Sequence, residues 1–273
     1  MHVSQSAQLR PDDRDLSRYL PAESRCIGIV SGKGGVGKSL VTALLASAFA
    51  KEGNAVGILD ADLTGPSIPR MFGLRRTSQH QDDPGKITPG RTEVLGIRVI
   101  SLNLLMDNED DPVIWRGPLI AKTVEQFVTD VDWDGIRYLF VDLPPGTSDV
   151  PLTVMQRLPL DGLIVVSSPQ DLVAMIVRKA IKMARMLQVP VLGLVENMTH
   201  IVCPTCGERI DPFGRNAHLA EAQNLRLLAQ IPIDPALAAL CDSGRIEAYT
   251  RNPFRELIPT LNDLLNAPGV PHA

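Results

Sequence analysis

A chain of 273 residues with 44% hydrophobic but only 4% aromatic content can bury a sizeable aliphatic core, as one doubly wound α/β domain would. Its formal net charge of −4 argues against a broad nucleic-acid-binding surface, and no apolar run reaches the ~18–20 residues needed to cross a bilayer. Four cysteines at this length do not suggest a disulfide framework, so the expectation is a cytoplasmic protein with neither nucleic acid nor membrane as partner.

Residues 1–24 are polar, mixed in charge and without the apolar centre of a secretion signal. They read as a flexible lead to a single domain spanning 25–273. Cys26, Ile27, Gly28, Ile29 and Val30 form a buried-strand pattern. Residues 40–50 follow as a helix with Leu44, Leu45, Ala48 and Phe49 on its apolar side. A second strand at 55–59 ends in Asp60, a third covers 97–101, and Ile120, Val124, Phe127 and Val128 mark a helix over 119–131. The strand at 138–141 ends in Asp142; strands at 163–166 and 191–195 flank a helix at 172–187, and 227–231 reads as the last strand. The segment 75–93 is rich in Asp, Gln, Gly and Pro and reads as an insertion loop. Strands alternating with helices predict a mostly parallel sheet with helices on both faces.

Between the first strand and helix lies Gly32-Lys33-Gly34-Gly35-Val36-Gly37-Lys38-Ser39, which fits the phosphate-binding loop G-x-x-x-x-G-K-[ST]. Its glycines allow backbone N–H groups to turn toward phosphate oxygens, and the helix start adds partial positive charge. Lys38 is expected to reach the β- and γ-phosphates and Ser39 to ligate Mg²⁺. Asp62 and Asp142 stand at strand ends, where carboxylates hold Mg²⁺ or position water, although a cap or turn role competes. After Asp142, Gly146 can offer its N–H to a γ-phosphate. Cys203-Pro204-Thr205-Cys206-Gly207 places two thiols where they can hold one metal or one edge of a cluster. Cys26 and Cys241 are isolated and read as structural. One chain therefore supplies half a site, and a two-fold dimer would complete it with four thiolates. A redox dithiol and a structural zinc knuckle are the competing readings; the residues after Cys206 suggest a hairpin rather than the helix start of a thioredoxin-like motif.

Lys33, a second lysine in the loop, makes KGGxGK[ST] resemble the deviant Walker A of the MinD/ParA/nitrogenase iron protein class of P-loop NTPases. That resemblance implies an ATPase whose homodimer sandwiches two ATP molecules, with Lys33 reaching the partner's nucleotide. It further implies a Walker B role for Asp142, a water-orienting role for Asp62 and an adenine contact for Asn197, giving Lys33, Lys38, Asp62 and Asp142 as the catalytic set. Other stretches resemble the Mrp/ApbC family of ATP-dependent iron–sulfur cluster carriers: SGKGGVGKS, LDADLTGPSIPRMFG at 59–73, WRGP at 115–118, VDWDGIRYLFVDLPPGTSDVPLT at 131–153, SSPQ at 167–170, VENMTHIVCPTCGERIDPFG at 195–214 and IPIDP at 231–235. The resemblance covers about 25–260 and implies ATP, Mg²⁺ and a [4Fe–4S] cluster. Cys203 and Cys206 would hold the cluster at a homodimer interface, for transfer to apo iron–sulfur proteins. The chain departs from the family at Arg215, Asn216, Ala217 and His218, where a glycine-rich run is common. A MinD- or ParA-like spatial-organisation ATPase is the alternative. It needs a membrane helix or basic patch, and the stripe Phe254, Leu257, Ile258, Leu261, Leu264 and Leu265 is instead expected to pack on the sheet, because Glu256 and Asp263 interrupt any basic face.

Overall fold

Side chains along a strand alternate between its two faces, and in this chain helices cover both. The computed structural model describes residues 16–62, 65, 67–75, 86–105, 117–147, 149–169, 173–214 and 224–266. The lead as far as residue 15, the insertion at 76–85, Trp115, Arg116, Gln170 and the altered loop of Arg215, Asn216, Ala217 and His218 lie outside the described residues. The strands are β1 (Arg25–Ser31), β2 (Val56–Asp60), β3 (Gly90–Arg91), β4 (Arg98–Ile100), β5 (Tyr138–Asp142), β6 (Gly162–Ser167), β7 (Val191–Glu196), β8 (Ile201–Val202), β9 (Arg209–Ile210) and β10 (Leu227–Gln230). The helices are α1 (Lys38–Lys51), α2 (Ile68–Met71), α3 (Leu102–Leu105), α4 (Gly117–Thr129), α5 (Asp149–Met155), α6 (Val173–Met186), α7 (Pro235–Asp242) and α8 (Ile258–Leu265).

The main sheet runs β10-β7-β6-β1-β5-β2-β4-β3, parallel throughout except for the edge pair β3 and β4. This is the expected doubly wound α/β fold. In β1, Ile27 and Ile29 join the apolar layer containing α1, whereas Cys26 and Val30 join the layer containing α4 and α6. β2, β5 and β6 are buried along their whole length, which explains their unbroken apolar sequences.

Three expectations change. The lead is not flexible throughout: Leu16–Tyr19 form a 3-10 turn, and Leu16 and Leu20 are buried in the layer containing α4 and α6. α1 is buried from Val41 to Phe49 on every side rather than on one stripe, because Tyr249, Phe254, Ile258 and Leu261 close over the flank that the sheet leaves open. The end of the insertion loop is also ordered: β3 pairs with β4, and buried Glu247 accepts from the Thr92 hydroxyl at 2.6 Å and the Leu95 N–H at 3.1 Å. The C-terminal stripe packs as expected, with Ile258, Leu261 and Leu265 buried in the α1 layer. At roughly 1.5–3 kcal/mol for each buried aliphatic side chain, that face is committed to the core. Among the described residues no helix is long and apolar enough to cross a membrane.

Candidate functional site

β1 lies between β6 and β5: the chain runs from β1 to β2 and β4 on one side and later from β5 to β6, β7 and β10 on the other, so the strand order reverses at β1. Ligands of such sheets bind beyond the carboxyl ends of the strands at this reversal. The register sets Asp142 beside both Ile29 and Asp60, which brings the loop after β1 and the acidic ends of β5 and β2 to one rim.

In the loop, Gly35 and Gly37 have φ of 79° and 83°, a left-handed backbone that favours glycine. A Cβ on Gly37 would lie 2.1 Å from Asn197 Nδ2. Asn197 stands just beyond β7, donates its side-chain amide to the Val36 carbonyl at 2.9 Å and its backbone N–H to the Ser167 carbonyl at 2.8 Å. It therefore buttresses the loop, a role its own sequence neighbourhood does not signal. Gly37→Ala is expected to weaken ADP binding about tenfold or more, because the added methyl must displace Asn197 and occupy strained backbone. Titration with a fluorescent ADP analogue measures it.

Lys38 opens α1 and is buried. Its Nζ lies 2.8 Å from Asp142 Oδ1 and 3.5 Å from Asp62 Oδ2. The Ser39 hydroxyl donates to Asp142 Oδ2 at 2.5 Å and the Thr42 hydroxyl to Asp142 Oδ1 at 2.8 Å. Asp60, fully buried, accepts from the Ser101 hydroxyl at 3.1 Å and the Asp62 N–H at 3.2 Å. Burial, and then the Asp142 charge, push the Asp60 carboxyl well above the usual carboxylate range, against the pull of Lys38 and Ser101. One ammonium between the Asp62 and Asp142 carboxylates leaves negative charge for a divalent cation to balance. The touching Ser39 hydroxyl and Asp142 carboxylate are hard oxygen donors of the kind Mg²⁺ takes. With a loop whose glycines leave room for close approach, these residues fit a magnesium nucleotide. Lys33 is exposed in the loop, its carbonyl accepting from the Ser31 hydroxyl at 3.0 Å. Gly146 N–H donates to the Ser31 carbonyl at 2.9 Å, so the donor expected for a phosphate is engaged at the end of β1.

Ser101 and Thr42 are members of this site that sequence reading missed; Asp60 was read as the end of its strand but given no role. Thr42 had a usable signal: it stands three residues after Ser39, on the same helix face.

The chain continues from Asn197 through Met198, at φ 59°, into the hairpin of β8 and β9. Thr199 N–H donates to the Ile231 carbonyl at 3.0 Å and Ile233 N–H to the His200 carbonyl at 2.7 Å, pinning the hairpin's base to the segment after β10. Across the tip, Cys203 N–H donates to the Glu208 carbonyl and Gly207 N–H to the Cys203 carbonyl, each at 2.9 Å. Backbone N–H groups of Cys206 and then Thr205 bond the Cys203 sulfur and hold its thiol below the ordinary range. The expected hairpin thus favours the thiolate form that ligates metal. Cys203 is half-buried and Cys206 exposed. Among the described residues no group of three or more His, Cys, Asp or Glu is placed to hold a metal, so none of them completes a ligand set with the pair. Cys26 is buried in β1, its thiol pushed up by burial and by Asp161; Cys241 is half-buried and likewise raised by burial. A cavity of about 790 Å³ opens at the amino ends of the central strands, beside Arg25, Arg137 and Asp161, and none of the loop, acidic or hairpin residues borders it.

The loop, the paired strand-end carboxylates and the sheet reversal define a P-loop nucleotide-binding protein. Residues 23–265 match the NUBPL iron-transfer P-loop NTPase family, under the heading ParA, and the chain belongs to that family. It is 48% identical over 241 residues to an iron–sulfur cluster carrier protein of Clostridium perfringens, across 85% of this chain and 84% of the relative. It is 40% identical over 244 residues to a cytosolic Fe–S cluster assembly factor Nubp2 homolog of Anopheles gambiae, across 85% and 94%. Among solved structures, a nucleotide-binding protein of Archaeoglobus fulgidus in complex with ADP matches with a TM-score of 0.78 and 44% identity, across 90% and 96%. The resemblance to iron–sulfur cluster carriers read from the motifs is borne out at the level of the family.

Proposed function

We propose that this chain is an ATP-hydrolysing carrier that holds a [4Fe–4S] cluster between two copies of itself and delivers it to apo iron–sulfur proteins. The observation that carries the proposal is the hairpin at Cys203 and Cys206. It has a thiolate-favouring tip and a ligand pair that no other described residue completes, and it is joined within a few residues to Asn197, which touches the phosphate loop. A cubane cluster commonly takes four thiolates, and a two-fold axis turns one pair into two. The carriers among the relatives support the cargo, and the ADP-bound relative supports the nucleotide.

In this reading the backbone N–H groups of residues 32–39 and the Lys38 ammonium bind the phosphates, Lys38 exchanging Asp142 for phosphate oxygens. Ser39 and Asp142 would hold Mg²⁺, which supplies neutralisation of phosphate charge. Asp62 orients the attacking water, Asn197 contacts adenine while bracing the loop, and Lys33 reaches the partner's nucleotide. Residues 25–273 act as one domain in the cytoplasm, a location that the cytosolic relative supports.

Anaerobic reconstitution followed by iron, sulfide and zinc analysis tests the proposal. The expected result is roughly four irons and four sulfides per two chains; zinc that iron does not displace would instead mark the pair as a structural metal site. A separate expectation concerns Lys33. Lys33→Ala should weaken association driven by a slowly hydrolysed ATP analogue about tenfold or more, since an interfacial cation loses its anionic partner. Light scattering measures this, and association equal to wild type would remove Lys33 from the interface.

A further inference from the structure

We propose that Thr42 is a positioning residue that holds the Asp142 carboxylate in the orientation required by a magnesium nucleotide; the inference rests on the nucleotide reading above. Thr42 is wholly buried in α1, with Val41, Ala43, Leu44 and Leu45 beside it in the helix. A hydroxyl there is costly unless bonded, and valine would fill the same space without that cost. Its single proton has two acceptors in reach: the Lys38 carbonyl at 3.1 Å and Asp142 Oδ1 at 2.8 Å. The bond to the carboxylate is shorter and charge-assisted, and therefore the stronger.

Thr42 and Ser39 are neighbours at i and i+3 on the helix. Ser39 donates to Oδ2 and Thr42 to Oδ1, so hydroxyls of one helical turn grip both oxygens of the carboxylate and define its plane. Lys38 also contacts Oδ1, at 2.8 Å. Of these three groups, Lys38 is assigned to phosphate and Ser39 to the metal. Thr42 has no assignment to the nucleotide. It keeps its bond to Oδ1 while the other two change partners, and so leaves Oδ2 beside Ser39 for the metal. Groups that orient a metal ligand in this way commonly contribute about 10–100-fold to metal affinity.

The test compares wild type with Thr42→Val and Thr42→Ser, titrating a fluorescent ADP analogue in Mg²⁺ and again in EDTA, and recording the melting curve without nucleotide. The expected result is about tenfold weaker binding by Thr42→Val in Mg²⁺, a change below about twofold in EDTA, and recovery in Thr42→Ser. A residue that merely packs would weaken both titrations together and lower the melting temperature; that outcome, or unchanged binding in Mg²⁺, overturns the proposal. If Thr42→Val does not fold, Thr42→Ser against Thr42→Ala carries the same comparison, because that pair differs only by the hydroxyl. Wild-type ADP binding that is indifferent to Mg²⁺ also overturns the proposal, whereas no ADP binding by the wild type in either buffer overturns the nucleotide reading itself, a result distinct from the others.

Discussion

Cys203→Ser and Cys206→Ser are each expected to abolish cluster reconstitution, while Cys26→Ser and Cys241→Ser retain iron and sulfide close to wild type. Serine keeps the shape of the hairpin but replaces a soft thiolate with a hydroxyl that stays protonated at neutral pH. Because a two-fold site takes each residue twice, one substitution per chain removes two of four ligands. Cys26 is excluded by burial in β1; serine there buries a hydroxyl, with an expected stability cost of about 1–3 kcal/mol and no loss of metal. Cys241 lies near the end of α7, remote in sequence from the hairpin. Iron and sulfide analysis with the visible absorption band decides the matter. A full cluster on either hairpin variant, or on a strict monomer, would contradict the shared site.

Lys38→Ala is expected to reduce ATP hydrolysis by about 10²-fold or more, since the phosphate contact proposed for this buried cation cannot be replaced by backbone donors. It also carries a structural cost. Lys38 lies between Asp142 and Asp62, and removing one partner of a buried ion pair costs about 3–5 kcal/mol before any compensation. The Asp60 carboxyl, already raised by burial and by Asp142, loses the cation that pulls it down. The folded state then holds a proton that the unfolded chain releases, so the variant loses stability as pH rises from the ordinary carboxylate range upward. Melting curves at pH 5 and pH 8 alongside an ATPase assay separate the two effects: the melting deficit should be larger at pH 8, the hydrolysis deficit present at both. Asp62→Ala provides the contrast, since its proposed partner is water. It should slow turnover far more than it weakens ADP binding, and wild-type turnover would remove Asp62 from the mechanism.

The order strand, glycine loop, helix, with carboxylates closing two further strands, was legible in the sequence because each part is local. Periodicity reports burial, and glycines before a lysine and a serine report a phosphate cradle. The hairpin around Cys203 and Cys206 was legible for the same reason, its turn being set by neighbouring residues. Other features depend on contacts the chain makes with itself at long range. Asn197 braces Val36 from 161 positions away, Thr42 meets Asp142 from 100, and Ser101 reaches Asp60 from 41. The full burial of α1 depends on a C-terminal segment that folds over it, and Gly146 spends its donor on Ser31 because β1 and β5 are neighbours. A linear pattern records which residues face inward and which loops can turn. Which polar group meets which at the rim is decided only when the strand order of the sheet brings remote strand ends together, because hydrogen bonds act over about 3 Å.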